Sequence, residues 1–412
     1  MTKWRIYKLE EIADIQTGPF GSQLHNKDYA TKGFPIVTVE HLGHRRFTTQ
    51  NLPLVSDADK ARLSKYVLSE GDVVFSRVGS VDRCSYVSKA EDGWMFSGRC
   101  LRIRCNENVH PLYIYYYFCQ ESIKQYIRNV AVGATMPSIN TQIMSDIPIS
   151  LPPLEEQKKI AGILSAIDDK IENNRRINEN LEQQAQAFFK QWFVDFIPFK
   201  ESKFVESELG LIPQGWKVVS LDDMTSKFGT GLNPRQNFKL GEGDNYYVTI
   251  KNMCDNRIYI DNKCDKITNE AIEKINKRSK LQKGDLLFSG IGTIGRVAML
   301  TETPTNWNTS ESVFNMHPKE GYSTEFLYVL LLSDAFQQYV KIHSQGGVQQ
   351  GIRMVSLKQY QMAVPDYKTI KTFDDIVVPI ISQIREKDKE NDCLTTLRDT
   401  LLPKLINGEI KL

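Results

Sequence analysis

The 412-residue sequence is poor in several features that usually announce chemistry. Its seven cysteines (Cys84, Cys100, Cys105, Cys119, Cys254, Cys264 and Cys393) are odd in number and contain no C-x-x-C pair. That pattern argues against a disulfide framework or a zinc knuckle and is read as reduced, mostly packed thiols. No apolar run approaches the ~20 residues that a membrane helix needs. The opening Met1-Thr2-Lys3-Trp4-Arg5 has neither the apolar stretch nor the small-residue cleavage site of a secretory leader, so a cytoplasmic location is expected. Neither sign of charge dominates: 52 Lys and Arg face 50 Asp and Glu, a net charge of +2. Any binding of phosphate must therefore come from local clusters rather than from the total. There is no G-x-x-x-x-G-K-[ST] loop for a nucleotide, and His25, His41, His44, His110, His317 and His343 show no metal-ligand spacing. What remains is a soluble globular composition, 41% hydrophobic and 25% charged, on a chain too long for one ordinary core.

What the sequence does contain is itself, twice. Gly71-Asp72-Val73-Val74-Phe75-Ser76-Arg77-Val78-Gly79-Ser80-Val81-Asp82-Arg83 recurs as Gly284-Asp285-Leu286-Leu287-Phe288-Ser289-Gly290-Ile291-Gly292-Thr293-Ile294-Gly295-Arg296, an offset of 213 residues. Trp4 and Leu9 answer Trp216 and Leu221, and Val37-Thr38-Val39 answers Val248-Thr249-Ile250. An aromatic helix over Leu112–Ile127 answers one over Glu325–Val340. Collinear matches at nearly constant spacing make the chain two versions of one unit. Within the second copy, Gly290-Ile291-Gly292-Thr293-Ile294-Gly295 spells G-x-G-x-x-G. A dinucleotide loop needs a helix next, and Arg296–Leu300 reads instead as a second strand, so a hairpin turn is expected.

Each copy reads as a mixed globular domain followed by a long helix. Strand-like runs such as Phe34–Val39 and Tyr246–Ile250 are β-branched or aromatic and bounded by turn formers. After Leu151-Pro152-Pro153-Leu154, positions 160, 164, 167, 171, 174, 178, 181, 185, 188 and 192 step by fours and threes and form a seam with a polar middle, Asn174 and Asn178. A weaker seam runs through Val377, Ile380, Ile384, Lys387, Asn391, Leu394, Arg398, Leu401 and Leu405, with Pro379 and Pro403 expected to kink or end it. Polar centres near the middle of both helices would meet in antiparallel packing. The fold class is therefore read as α+β: two mixed domains separated by two long helices that pair as an antiparallel coiled coil, with a pseudo-two-fold internal repeat.

The repeat and its signatures resemble the specificity subunits of type I restriction–modification enzymes. The matching residues are Ile147-Pro148-Ile149-Ser150-Leu151-Pro152-Pro153-Leu154-Glu155-Glu156-Gln157-Lys158-Lys159-Ile160 and Ile212-Pro213-Gln214-Gly215-Trp216. The ending Leu397-Arg398-Asp399-Thr400-Leu401-Leu402-Pro403-Lys404-Leu405-Ile406-Asn407-Gly408-Glu409-Ile410 matches too. The resemblance implies a target-recognition domain over residues 1–152, a central spacer helix over 153–194, a linker over 195–212, a second target-recognition domain over 213–366 and a C-terminal spacer helix over 367–412. It implies double-stranded DNA as ligand, read as a bipartite asymmetric site, with two methyltransferase subunits and restriction subunits as partners. AdoMet, ATP and Mg are then expected on those partners, with no cofactor on this chain and no catalysis by it; the Asn/Asp-Pro-Pro-aromatic run of an amino-methyltransferase is missing. One departure stands out: the second copy has Asp366-Tyr367-Lys368-Thr369-Ile370-Lys371 where the first has Pro-Pro-Leu-Glu-Glu-Gln, leaving the start of the second helix in question. Two other readings stay open, a stand-alone enzyme with a cryptic site and a non-catalytic two-headed coiled-coil scaffold for a ligand other than DNA.

Base readout calls for Arg or Lys on guanine and Asn or Gln on adenine, and phosphate contacts for Arg, Lys, Ser or Thr. In the first copy the candidates are Ser22, Gln23, His25, Lys27, His44, Arg45, Arg46, Arg77, Ser80, Arg83, Thr135 and Ser138. In the second they are Arg235, Gln236, Lys239, Lys251, Asn252, Arg257, Ser289, Thr293, Arg296, Gln349, Gln350 and Arg353. These stretches differ between the copies while their flanks match, as expected of two readers with unlike half-sites.

Overall fold

A computed structural model describes residues 4–21, 23–25, 28–346 and 350–412. It resolves into two compact units, one of Met1–Asn174 with Asp388–Leu412 and the other of Arg175–Lys387. Each unit thus holds one globular domain and a stretch of both long helices.

In the first unit a four-stranded antiparallel sheet runs in the order Ala13–Thr17, Cys100–Cys105, Val73–Ser76, Cys84–Tyr86. A smaller sheet sets Phe34–Val37 between Leu54–Val55, antiparallel, and Met95–Phe96, parallel. The second unit repeats this order with Thr225–Thr230, Val313–Pro318, Leu286–Ser289 and Val297–Met299. Its smaller sheet sets Asn245–Val248 between Asp265–Ile267 and Trp307–Thr309, again one antiparallel and one parallel pair. The antiparallel pairing of Leu286–Ser289 with Val297–Met299 makes the G-x-G-x-x-G segment a hairpin turn.

The shared Gly-Asp opening has a structural cause. Asp72 is buried, and its carboxylate accepts from the Ser69 N–H and from Nε and Nη2 of Arg104. Asp285, also buried, accepts from the Gln282 N–H, from Lys227 Nζ and pairs with His317 Nδ1 at 2.8 Å. A buried carboxylate persists only when paired and hydrogen-bonded, and each copy meets that need with different partners.

Where one aromatic helix was expected, each copy has two: Pro111–Cys119 then Glu121–Val130, and Thr324–Leu332 then Asp334–His343. The break falls at a single extended residue, Gln120 (ψ 136°) or Ser333 (ψ 147°), and the Ser333 hydroxyl caps the next helix by accepting from the Phe336 N–H. The first helix of each pair is apolar nearly all round, as a helix enclosed by the core should be.

The long helices span Leu154–Phe193 and Tyr367–Ile406. In the first unit Asn174 Nδ2 donates to Asn391 Oδ1 (2.9 Å) and Glu390 (3.0 Å), and Arg398 pairs with Asp168 at 2.9 Å. In the second unit Asn178 Nδ2 donates to the Ile384 carbonyl, and the Phe189 and Phe193 rings pack on Phe373. Partner numbers fall as the others rise, so the pairing is antiparallel, and Asn174 and Asn391 meet as polar centres. Three expectations are corrected. The seam turns to Phe189, Phe193, Ile381 and Leu402 rather than Phe188, Trp192, Ile380 and Leu401, because a period of 3.6 drifts from a strict 3.5 repeat. The second helix ends at neither Pro379 nor Pro403 but runs on to Ile406; both prolines are exposed, which leaves solvent to serve the carbonyls that they cannot pair. Its start is secured without Pro-Pro-Leu-Glu-Glu-Gln: Asp366 Oδ1 accepts from the Thr369 N–H at 2.9 Å, an N-cap contact.

Candidate nucleic-acid interface

The loops that leave one end of each four-stranded sheet gather the candidates. In the first unit the turn Arg77–Arg83 is closed by the Ser76 N–H donating to the Arg83 carbonyl (2.9 Å), with Gly79 at φ 83°. The segment 132–138 lies along it. Gly79 N–H donates to the Pro137 carbonyl, Ile139 N–H to the Arg77 carbonyl, and Val132 and Ser138 exchange two backbone bonds. On the other side the Arg77 guanidinium reaches the Gly98 carbonyl (3.4 Å) and lies 5.8 Å from the Phe20 ring centre. The loop after Thr17 enters through Gly18, where a Cβ would sit 2.1 Å from the Ser97 carbonyl oxygen. Three stretches, 18–21, 77–83 and 132–138, therefore form one surface.

The second unit repeats the frame with other contents. Gly292 N–H donates to the Gln350 carbonyl, Ile352 N–H to the Gly290 carbonyl, and Gln345 and Gly351 exchange two bonds. Gly231, the counterpart of Gly18, would place a Cβ 1.7 Å from the Thr309 carbonyl oxygen. The next turn is braced by Glu311, which accepts from Asn233 Nδ2 (2.7 Å) and the Tyr247 hydroxyl (3.1 Å).

Ser80, Arg83 and Thr135 are exposed on this surface in the first unit, and Arg77 and Ser138 are half-buried beside them. His25 is exposed, its backbone N–H held by Asp28, and Gln23 accepts from the Tyr66 hydroxyl. His44 is exposed and its carbonyl accepts from Ser85 Oγ, while Arg46 pairs with Glu91 at 3.6 Å. In the second unit Arg235, Gln236, Lys239, Lys251, Thr293, Gln350 and Arg353 are exposed. Asn252 caps a short turn through the Thr249 N–H, and Arg257 lies over the Tyr259 ring. Three candidates are placed or turned elsewhere. Ser289 is fully buried with its hydroxyl accepting from the Arg296 N–H, and Arg45 pairs with Asp169 on the central helix. The Arg296 guanidinium is turned to the Ile250 and Met253 carbonyls. Ser22, Lys27 and Gln349 lie outside the described residues.

A model of the type I restriction modification DNA specificity domain matches residues 1–183 and again 213–391. The chain belongs to that family. Among its relatives, the type I restriction enzyme HindI specificity subunit of Haemophilus influenzae is 25% identical over 478 residues, covering all of both chains. The MjaIX specificity subunit of Methanocaldococcus jannaschii is 25% identical over 413 residues, covering 99% of this chain and 94% of its own. The crystal structure of a type I restriction–modification S subunit from M. genitalium shares the fold at a TM-score of 0.57 and 15% identity, covering 98% and 96% of the two chains.

Two features of this specificity-family chain escaped the sequence. Phe20, Val132 and Met136 are large apolar side chains left exposed on or beside the surface formed by residues 18–21, 77–83 and 132–138, and only the folded loops reveal that. Asp169 lies off the helix seam, so nothing marked it as the partner of Arg45. All seven cysteines are free, and burial pushes the Cys100 and Cys105 thiols up to about 12, as packed, unreactive thiols require. Among the described residues no helix is long and apolar enough to cross a membrane.

Proposed function

We propose that this chain is the DNA-reading subunit of a type I restriction–modification complex, with each unit reading one half of a bipartite asymmetric site. The observation that carries this reading is the duplicated frame: equivalent backbone bonds tie Val132, Pro137, Ser138 and Ile139 in one copy, and Gln345, Gln350, Gly351 and Ile352 in the other, to one another and to their hairpins, while most of the exposed candidates differ. One scaffold carrying two unlike sets of Arg, Lys, Gln, Ser and Thr suits two unlike half-sites, with base edges giving specificity and phosphates giving register. Adenine methylation and cleavage then belong to two methyltransferase subunits and the restriction subunits, with AdoMet, ATP and Mg held there and none by this chain.

A methylome map of cells expressing the chain with its methyltransferase partner tests this. The expected outcome is methylated adenine in one interrupted, asymmetric motif that disappears when this chain is omitted, with no methylation by the purified chain alone. A continuous motif, or adenine methylation by the single chain, would overturn it.

A further inference from the structure

Arg45 sits in a loop that faces two ways. Its backbone is stitched to the strand that follows the reading hairpin: Ser85 Oγ donates to the His44 carbonyl (2.6 Å), Gly43 N–H donates to Ser85 Oγ (3.3 Å), and Tyr86 N–H donates to the Arg45 carbonyl (3.0 Å). A side chain at Gly43 would touch the aliphatic part of Arg83. The Arg45 side chain turns the other way, to the central helix, where Nη1 donates to Asp169 Oδ1 (2.8 Å) and the Ser165 carbonyl (3.3 Å). It is only 15% exposed, so it is withdrawn from the surface that holds Ser80 and Thr135.

The repeat gives a second, independent observation. Three-residue 3₁₀ turns follow the central strand of each smaller sheet, Val39–His41 and Ile250–Asn252, at an offset of 211. At that offset Arg45 corresponds to Asn256, in the turn of the Met253–Cys254/Arg257–Ile258 hairpin with φ 55°. Asn256 Nδ2 donates to Glu182 Oε1 at 3.3 Å, on the same central helix. Equivalent positions in both copies therefore bind one helix, by an ion pair in one and an amide hydrogen bond in the other. Most candidate reading residues differ between the copies, whereas this placement on the central helix recurs.

We propose that Arg45 and Asp169 form a positioning clasp that fixes the first reader's pose on the central helix, so that the complex accepts one gap between half-sites; Arg45 is a positioning residue and reads no base. The inference rests on the DNA-reading conclusion above. Changing the gap by one base pair moves a half-site by about 3.4 Å and rotates it by roughly 35° around the duplex. A reader free to pivot on its helix absorbs such a change; a clasped one rejects it.

The test is Asp169→Ala in the full chain, assembled with its partner subunits and mapped by genome-wide methylation. Asp169 is 61% exposed, so its loss does not threaten the fold. The clasp predicts that sites with a gap one base pair too long or too short rise about fivefold relative to the normal gap, the scale of one surface ion pair. The bases of both half-sites stay the same. The exchange Arg45→Asp with Asp169→Arg should restore the normal gap, whereas a mere packing role would lower methylation at every gap alike and gain nothing from the exchange. Unchanged gap discrimination in Asp169→Ala, or altered half-site bases in Arg45→Ala, overturns the proposal. If the unmodified chain directs no bipartite methylation, the DNA-reading conclusion falls, and the clasp is still judged by hydrogen exchange on the isolated chain. There Asp169→Ala should speed exchange of the Tyr86 amide severalfold, and an unchanged rate overturns the clasp.

Discussion

The two units share a topology strand for strand yet fill their cores differently. The enclosed helix of the first, Pro111–Cys119, carries four tyrosines, of which Tyr113, Tyr116 and Tyr117 donate to the Ser150 carbonyl, Asp168 and the Pro148 carbonyl. Its counterpart Thr324–Leu332 carries leucines, and the second unit gathers Phe189, Phe193, Phe326 and Phe373 where the helices meet the domain. The first core adds three tyrosine hydroxyl bonds to its ring contacts, and the second centres on a cluster of four phenylalanine rings. The lesson is that the fold requires apolar volume at fixed places, a paired aspartate at the strand entrance and a glycine where Gly18 or Gly231 meets a carbonyl. The remaining identities are free to vary, and that freedom reaches the exposed loops.

The comparison breaks most visibly at the junction with the helices. Phe373→Ala should cost about 3–5 kcal/mol, while Ile160→Ala, its counterpart at the repeat offset, should cost about 2–5 kcal/mol. Urea unfolding of the whole chain, with hydrogen exchange assigning each loss to its unit, measures both. Equal losses shared by both units would show a single cooperative core rather than two. Next in size is Tyr116→Phe, which removes one donor to the buried Asp168 and leaves Arg398 as its partner. The expected loss is about 1–3 kcal/mol. No equivalent hydroxyl-dependent loss is expected from the leucines of the second unit.

The smallest effect concerns Asp374, whose carboxyl burial pushes up to about 6 while it accepts a hydrogen bond from Ser323. A carboxyl raised above its unfolded value of 3.8 binds its proton more tightly when folded, so its stabilising contribution is present at low pH and is lost as pH rises from about 4 to about 6. Asp374 is partly exposed, so the change should be on the order of 1 kcal/mol. Asp374→Asn should flatten that slope in thermal melts between pH 4.5 and 7.5 (about one pH unit or more either side of the folded value); an unchanged slope would assign it elsewhere.

Much of this architecture was legible because duplication supplies its own alignment. The repeated Gly-Asp-hydrophobic strand, its hairpin and the paired helices with Asn174 and Asn391 at the centre could all be read from spacing. The break at Gln120 could not, since no glycine or proline marks it, although Ser333 before Asp334 is a cap signal in the other copy. Pro379 and Pro403 do not mark the end of the second helix, because a proline costs one backbone hydrogen bond without forcing the chain out of helical geometry. At the candidate interface, residue type does not give side-chain direction: Arg45 and Ser289 share the residue chemistry of Arg83, yet one grips a helix and the other lies in the core.

The central claim is that two separate surfaces read two separate half-sites. It is tested most directly by mapping methylation directed by Arg83→Ala and, in parallel, by Arg235→Ala, each chain assembled with its partner subunits. Both side chains are exposed, one in each unit. The account predicts that Arg83→Ala relaxes or weakens one half-site by about 1–3 kcal/mol and leaves the other intact, while Arg235→Ala does the reverse. Loss of specificity at both half-sites from either single substitution would contradict it.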